Sequence, residues 1–295
     1  MRRWSAVEAM KYCRLIARMF VLLTVSAASL VHADDSETLF ARVAEDAEGR
    51  AQALQLAIVT YVPAQGAADY SVDLVSAIHI GEAQYYAELN DRFTEYEALL
   101  YELVAPQGTV VTRETERKGF VSGAQILLTR SLDLSFQLVE IDYRQTNFVH
   151  ADLSSKELAQ SMVDRNESLY TYFWKVFFAS MREYSKDPLG LSDWQLLVAM
   201  VKSDSDDTLK TMLAYELTNL DKIQEILGED SDSAIIGARN ERAIEVLHQQ
   251  LDAGATRIGI FYGVGHMPDL EARLHAMGLV PAKTVWVDAW DLGPE

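Results

Sequence analysis

Between residues 53 and 104 the apolar residues are spaced first as in strands, then as in a helix, and then again as in a strand. The stretches Ala53–Val62 and Val72–Ile80 are apolar and rich in β-branched residues, which predicts two strands. Apolar positions then recur at helical spacing after Gly81, and Ala98–Val104 predicts the next strand. The second of these strands is apolar almost without interruption, which favours burial on both faces under helices. This order is one βαβ unit.

The end of the chain repeats this order. Its apolar pattern predicts a helix at Arg239–Leu251, a strand at Arg257–Val264, a helix at Asp269–Met277 and a strand at Ala282–Ala289. The pattern therefore predicts an α/β fold whose central mixed or parallel sheet is built from two βαβ-type units.

The middle of the chain is expected to hold shorter elements and a helical insertion at about residues 155–230. The pattern suggests a helix at Gly123–Leu134, short strands at Phe136–Tyr143 and Phe148–Ala151, and a helix near Glu157 capped by Ser154 or Ser155. Residues 167–226 are typical of helical hairpins. Within them Leu169–Met181 is apolar nearly all round, which favours a buried helix but also suits a lid, a dimer contact or a helix resting on a membrane.

The first 33 residues differ from the rest of the chain. Residues 1–18 contain Arg2, Arg3, Lys11, Arg14 and Arg18 against a single Glu8, and an apolar run from Met19 to Val31 follows them. A basic segment, a short apolar run and small residues before a cleavage point are typical of an export signal. The run has about a dozen residues and a membrane span needs roughly 20, so cleavage after Ala33 is favoured over a membrane anchor. We expect an exported, periplasmic protein with no stable span and a single domain at residues 34–295.

The charge of the chain restricts its partners. The 295 residues include 26 Lys and Arg and 44 Asp and Glu, a formal charge of −18. Removal of the five basic residues and Glu8 in residues 1–33 leaves 21 against 43, a charge of −22. Nucleic acid is therefore a poor candidate partner, whereas a peptide, a small molecule or a divalent cation suits the surface. Cys13, the single cysteine, lies in the export signal, so the mature chain has no thiol nucleophile and no Cys-ligated zinc.

Two histidines stand at matching places in the two units. His79 ends the second predicted strand and His266 follows the strand at Arg257–Val264, while Glu102 lies near the end of the strand after His79. Parallel strands end at one edge of a sheet, where α/β proteins bind their ligands. We therefore expect His79, His266 and Glu102 to converge on a divalent metal, either Mn, Co or Zn, with Glu102 as third ligand or as general base.

Other polar residues are expected near this edge. Arg239 and Asn240 open the helix before the second histidine strand and suit a clamp for a substrate or a developing oxyanion, although a surface-charged first turn fits them equally well. Candidates of second rank are His150, Asp152 and Asp288, and His248 and His275 are expected to be solvated. The motifs HExxH, HxxEH, GxSxG, GxGxxG and the P-loop do not occur, which argues against zincins, serine hydrolases and nucleotide-binding proteins.

Four short stretches resemble the TraB/GumN/TIKI superfamily, whose hallmark is a pair of GxxH motifs with a glutamate after the first. They are Gly263-Val264-Gly265-His266, Ser76-Ala77-Ile78-His79 with Ser in place of Gly, Glu102 in LLYELV, and Arg239-Asn240 followed by Arg242.

This resemblance implies a fold related to the erythromycin-esterase and ChaN-like proteins, and a metal-dependent hydrolase that acts on a peptide bond, because the animal TIKI members are described as proteases that use manganese or cobalt. The alternatives are a protein that binds a peptide or haem without turnover, and a member that retains only the fold.

Overall fold

The computed structural model describes residues 39–64, 69–109, 134–165, 167, 206–218 and 233–293. The predicted export signal, the predicted helix at Leu169–Met181 and all but the last residue of the predicted helix at Gly123–Leu134 lie outside these residues. The described chain is a mixed α/β structure with a central sheet covered by helices.

The strands and helices are numbered along the chain. The described strands are β1 (Ala41–Glu45), β2 (Ala51–Pro63), β3 (Ser71–Ala77), β4 (Ile80–Gly81), β5 (Ala98–Tyr101), β6 (Ser135–Phe136), β7 (Phe148–His150), β8 (Arg257–Gly263) and β9 (Leu279–Asp291). The described helices are α1 (Ala83–Phe93), α2 (Gln137–Glu140), α3 (Ser155–Asp164), α4 (Asp206–Thr218), α5 (Gly237–Asp252) and α6 (Met267–Ala276), with a single 3₁₀ turn at Val264–His266. None of these helices combines the length and the apolar character needed to cross a membrane.

The sheet is mixed, with a parallel half and an antiparallel half. Strands β3, β8, β5 and β7 are parallel neighbours in that order. The long strand β2 runs antiparallel to β3 and pairs along its other edge with β9, while β1 pairs with the first half of β2. The strands β3, β8, β5 and β7 therefore all end at one edge of the sheet, where ligands bind in other α/β proteins.

Both predicted βαβ units are present, but their strands interleave. The first unit is β3-α1-β5 and the second is β8-α6-β9, and β8 lies between β3 and β5 in the sheet. The last paired residues of β3 and β8 are Ala77 and Gly263. The interleaving thus brings the two chain segments that carry His79 and His266 side by side, although 187 residues separate the histidines.

One predicted strand is wrong. Residues 136–143 were expected to form a short strand, but only Ser135 and Phe136 pair, with β4, and α2 begins directly afterwards. The backbone groups of this segment have a side chain, and not a neighbouring strand, as their hydrogen-bond partner. The side-chain amide of Asn90 on α1 donates to the Glu140 carbonyl at 2.8 Å and its oxygen accepts from the Asp142 N–H at 3.1 Å. A helix side chain thus satisfies groups that a strand would offer to a neighbouring strand.

Most other elements are confirmed within a few residues, and β1 was not predicted. Ser154 caps α3, and its hydroxyl accepts from the Glu157 N–H while the Glu157 carboxylate accepts from the Ser154 N–H, which is the expected capping box. Strand β3 is buried on both faces after its first residue, as its apolar run indicated.

Helices cover both faces of the parallel strands. Phe93 of α1 packs edge-on against Phe261 of β8 with ring centroids 4.8 Å apart. Gly259 lies on the same face, and a Cβ atom there would come within 2.6 Å of Leu99 Cδ1. Glycine is therefore required for the close approach of β8 to its neighbours.

Candidate functional site

A buried cluster of charged and polar side chains lies at the edge where the parallel strands end. Glu102 follows β5 directly, Asp152 comes two residues after β7, and His266 ends the 3₁₀ turn after β8. Arg239 and Asn240 lie in the first turn of α5, which packs over β5 and β8. Arg239 is 7% exposed and Asn240 and His266 are fully buried, so the expected alternative of a surface-charged first turn is wrong for these two residues.

Arg239 is the centre of the cluster. Its Nε donates to Asp152 Oδ1 at 2.9 Å and its Nη2 to Asp152 Oδ2 at 2.7 Å, a bidentate pair. The same Nη2 donates to Glu102 Oε1 at 2.6 Å. Two carboxylates therefore share one guanidinium, and this trio retains one net negative charge.

Glu102 is held as a carboxylate. Burial alone would raise its pKa, but Arg239, His266 and His79, together with the Gly263 N–H that donates to Oε2 at 2.6 Å, outweigh burial and hold the pKa well below its usual range.

The protonation pattern of His266 follows from its contacts with Asn240. The amide nitrogen of Asn240 donates to the His266 carbonyl at 3.1 Å and to Asp269 Oδ2 at 2.8 Å, so Asn240 Oδ1 is the acceptor toward the ring. His266 Nδ1, 2.6 Å from that oxygen, must carry the proton. Burial lowers the pKa of His266 to about 4, so the ring is neutral and Nε2 has a lone pair.

That lone pair faces the charged trio. His266 Nε2 lies 3.6 Å from Glu102 Oε1 and accepts a long hydrogen bond from Arg239 Nη1 at 3.4 Å. A histidine whose Nδ1–H is fixed by an amide oxygen, and whose unprotonated Nε2 accepts only a long hydrogen bond, has the arrangement of a metal ligand or of a proton acceptor.

His79 lies near this cluster at the same edge of the sheet. It follows β3 by two residues, is partly buried, and its carbonyl accepts from the Gln137 N–H at 3.0 Å. Its ring makes no hydrogen bond or ion pair with another described residue, and it acts on Glu102 electrostatically. Among the described residues, no three His, Cys, Asp or Glu side chains are grouped closely enough to hold a metal ion. The metal site of His79, Glu102 and His266 therefore stays a prediction.

Two candidates of second rank lie apart from the cluster, whereas the third, Asp152, is part of it. His150 Nε2 contacts the Leu103 carbonyl at 2.7 Å. Asp288 is exposed on β9, where its Oδ1 accepts from Gln55 at 2.6 Å. Arg242, unlike Arg239, pairs with Glu245 on the surface at 3.0 Å. His248 and His275 are exposed, as expected.

Two further polar residues near His79 were not anticipated from the sequence. Gln137 and Tyr143 lie in the segment that was expected to be a strand, and Gln137 Nε2 donates to the Tyr143 hydroxyl at 2.9 Å. No motif marks them, because their place depends on the pairing of β4 with β6.

The donor chemistry of the cluster fits a divalent cation in two respects. An ionised carboxylate oxygen and an unprotonated imidazole nitrogen lie 3.6 Å apart, a separation that two ligands of one ion can have when each bond is about 2.0–2.2 Å. The net negative charge of the trio also favours a cation. Comparison of the chain with protein-family models, with curated proteins and with solved structures gives no match.

Proposed function

We propose that the protein is an exported, metal-dependent hydrolase of the TraB/GumN/TIKI type, most simply a peptidase, with its active site where β3, β8, β5 and β7 end. The observation that carries this proposal is the neutral His266 ring, whose Nε2 lone pair faces the ionised Glu102 carboxylate 3.6 Å away in a buried cluster. Buried groups of this kind are typical of sites that bind and activate a substrate.

His266, Glu102 and His79 are the residues that would hold the divalent cation, whether Mn, Co or Zn. When bound, such an ion lowers the pKa of a water molecule to about 7 and polarises a substrate carbonyl. The low pKa of Glu102 favours ligation over service as a general base, because a carboxylate of that kind does not retain a proton near neutral pH.

The other residues of the cluster have separate parts in this proposal. Asn240 keeps the His266 proton on Nδ1 and thereby keeps Nε2 unprotonated. Asp152 fixes the plane of the Arg239 guanidinium, whose Nη1 points toward His266 Nε2 at 3.4 Å. A fixed cationic donor at this place would stabilise negative charge on a substrate oxygen.

The second candidate function is a protein that binds a peptide or haem without turnover. The contact between Arg239 Nη2 and Glu102 Oε1 at 2.6 Å favours it, because the guanidinium already neutralises the carboxylate that a metal would use. The partly buried His79 ring, with no side-chain hydrogen bond to a described residue, would then serve as a contact or an iron ligand.

Metal content and activity separate the two functions. The purified protein would be dialysed with Mn, Co or Zn, analysed for bound metal, and assayed on a peptide library. His266→Ala removes the central ring, and His248→Ala is the matched control on the exposed side of α5. We expect metal-dependent cleavage by the wild type and by His248→Ala, and none by His266→Ala. The absence of both metal and cleavage in the wild type would refute the hydrolase, and a Soret band with haem would favour the binding protein.

A further inference from the structure

Gln137 and Tyr143 form a polar pair beside the proposed active site, and the described residues use only part of its hydrogen-bonding capacity. Gln137 Nε2 donates to the Tyr143 hydroxyl at 2.9 Å, whereas Gln137 Oε1 is buried and has no hydrogen-bond partner in the described part of the chain. Gln137 is 6% exposed. Among the described residues the Tyr143 hydroxyl accepts from Gln137 and donates to none. The pair therefore offers one acceptor and one donor side by side.

The pair lies at the edge that carries the cluster. The Gln137 N–H donates to the His79 carbonyl at 3.0 Å, and Phe136 pairs with Ile80, so the segment is fixed to the residues around His79. The Tyr143 ring packs on Tyr101, with centroids 5.3 Å apart, and Tyr101 directly precedes Glu102.

The Tyr143 hydroxyl remains a donor at neutral pH. Burial raises its pKa, and the negative charge of Glu102 raises it further.

A buried acceptor without a partner is rare in native proteins, because burial removes its hydrogen bonds to water and no other hydrogen bond replaces them. A substrate group can supply the missing partners. An acceptor beside a donor is complementary to one residue of an extended peptide, whose N–H and C=O point to the same side, and less so to an ester, which has no N–H.

We propose that Gln137 and Tyr143 bind one extended residue of a peptide substrate, with Gln137 Oε1 accepting the N–H of that residue and the Tyr143 hydroxyl donating to its carbonyl. This rests on the proposed function and narrows its substrate class to amides over esters. Both are substrate-binding residues in this scheme and take no part in bond cleavage.

The test compares a peptide with a depsipeptide of the same sequence in which the recognised amide is an ester. Wild type should show a KM about tenfold higher for the depsipeptide, the effect of one lost hydrogen bond. Gln137→Met should raise KM for the peptide about tenfold, leave kcat within about twofold, and remove the difference between the two substrates. Tyr143→Phe should raise KM for both substrates. The matched controls are the exposed Gln84→Met and Tyr215→Phe, which should change neither constant.

The measurements distinguish three cases: a variant that does not fold, a wrong inference about Gln137, and a wrong proposal of hydrolase function. Gln137→Met removes an unsatisfied acceptor together with the hydrogen bond to Tyr143, and because these two effects on stability oppose each other, we expect a folded variant whose melting temperature changes little. If wild type cleaves the peptide and Gln137→Met has the same KM, the inference is wrong and the hydrolase stands. If wild type binds the uncleaved peptide by calorimetry without cleaving it, and Gln137→Met binds it about tenfold more weakly, the hydrolase is wrong and the inference stands. Absence of both binding and cleavage overturns the inference as well.

Discussion

Asn240 contacts His266 twice, through the ring Nδ1 at 2.6 Å and through the main-chain carbonyl at 3.1 Å. The first contact defines which ring nitrogen carries the proton, and the second keeps the amide from rotating. Because Asp269 receives the other amide proton of Asn240 and is itself held by Arg273 at 2.7 Å, the orientation of the ring is fixed by a chain of four side chains. His266 Nε2 is therefore held facing Glu102 and Arg239 before any ligand arrives.

Asn240→Ala should release this constraint. We expect the His266 ring to populate both tautomers, since its Nδ1 proton loses its acceptor, and metal affinity to fall about 10- to 100-fold, as when other outer partners of ligating histidines are removed. Long-range ¹H–¹⁵N NMR spectra report the tautomer, and titration calorimetry reports the affinity. The exposed His248 is an internal reference in the spectra. A single Nδ1–H tautomer in the variant would show that Asn240 does not set it.

Arg239→Met should be among the most destabilising substitutions at the site. It leaves Glu102 and Asp152 as two buried carboxylates without their shared cation, which is expected to lower the free energy of unfolding by about 3–5 kcal/mol. Arg242→Met, one turn along α5 on the surface, should change it by less than about 0.5 kcal/mol. Urea denaturation measures both. Arg239→Lys should recover little, because an ammonium group cannot form the bidentate pair with Asp152. Equal effects at the two arginines would contradict the buried network.

Divalent metal should stabilise the folded protein if the proposed site is real. An ion at about 100 times its dissociation constant adds about 2.7 kcal/mol to the free energy of unfolding, provided that the unfolded chain does not bind it. We expect the melting temperature of the wild type and of His248→Ala to rise with Mn, Co or Zn and to fall again on chelation. His266→Ala should not respond. A rise of equal size in His266→Ala would place the bound metal elsewhere.

Gly259→Ala tests the packing that brings β8 between β3 and β5. The added Cβ would lie 2.6 Å from Leu99 Cδ1 and 3.0 Å from Tyr96 Cε2, so we expect a loss of about 1–3 kcal/mol in the free energy of unfolding. Leu99→Ala alone is also destabilising, because it leaves a cavity. The double variant should lose less than the sum of the two, since the methyl group fills space that Leu99 vacates. If the two losses in free energy of unfolding are additive, Leu99 does not limit how closely β8 can pack against β5.

The elements of the central sheet were predictable because each is indicated by the pattern of apolar residues within its own segment. Strand β2 and helix α1 follow from runs such as Ala53–Val62 and from the spacing of Tyr85, Tyr86, Leu89 and Phe93, all four of which are buried. The proximity of Glu102 and His266 was predictable from the rule that parallel strands end at one edge, whereas the metal site that would join His79 to them stays a prediction.

The parts that the sequence pattern missed depend on long-range pairing. Nothing near Gln137 in the sequence indicates that it meets His79, because the pairing of β4 with β6 joins segments about 55 residues apart. The bidentate pairing of Asp152 with Arg239 was equally invisible, since residue spacing does not reveal which of several acidic residues reaches a distant arginine.

Ser76, where the resemblance would place glycine, yields the last prediction. Its hydroxyl is buried and has no hydrogen-bond partner in the described part of the chain, and the residue lies in strand β3 beside Tyr262 of β8. Ser76→Ala should therefore raise the free energy of unfolding slightly, by up to about 1 kcal/mol, because it removes an unsatisfied group. Ser76→Gly should lower it by about 0.5–1 kcal/mol relative to Ser76→Ala through backbone entropy. Urea denaturation measures both, and the proposed peptidase activity should be retained, because the strand needs no left-handed backbone here. A loss of activity in Ser76→Ala without a loss of stability would instead mean that the hydroxyl contacts the substrate or a water molecule of the site.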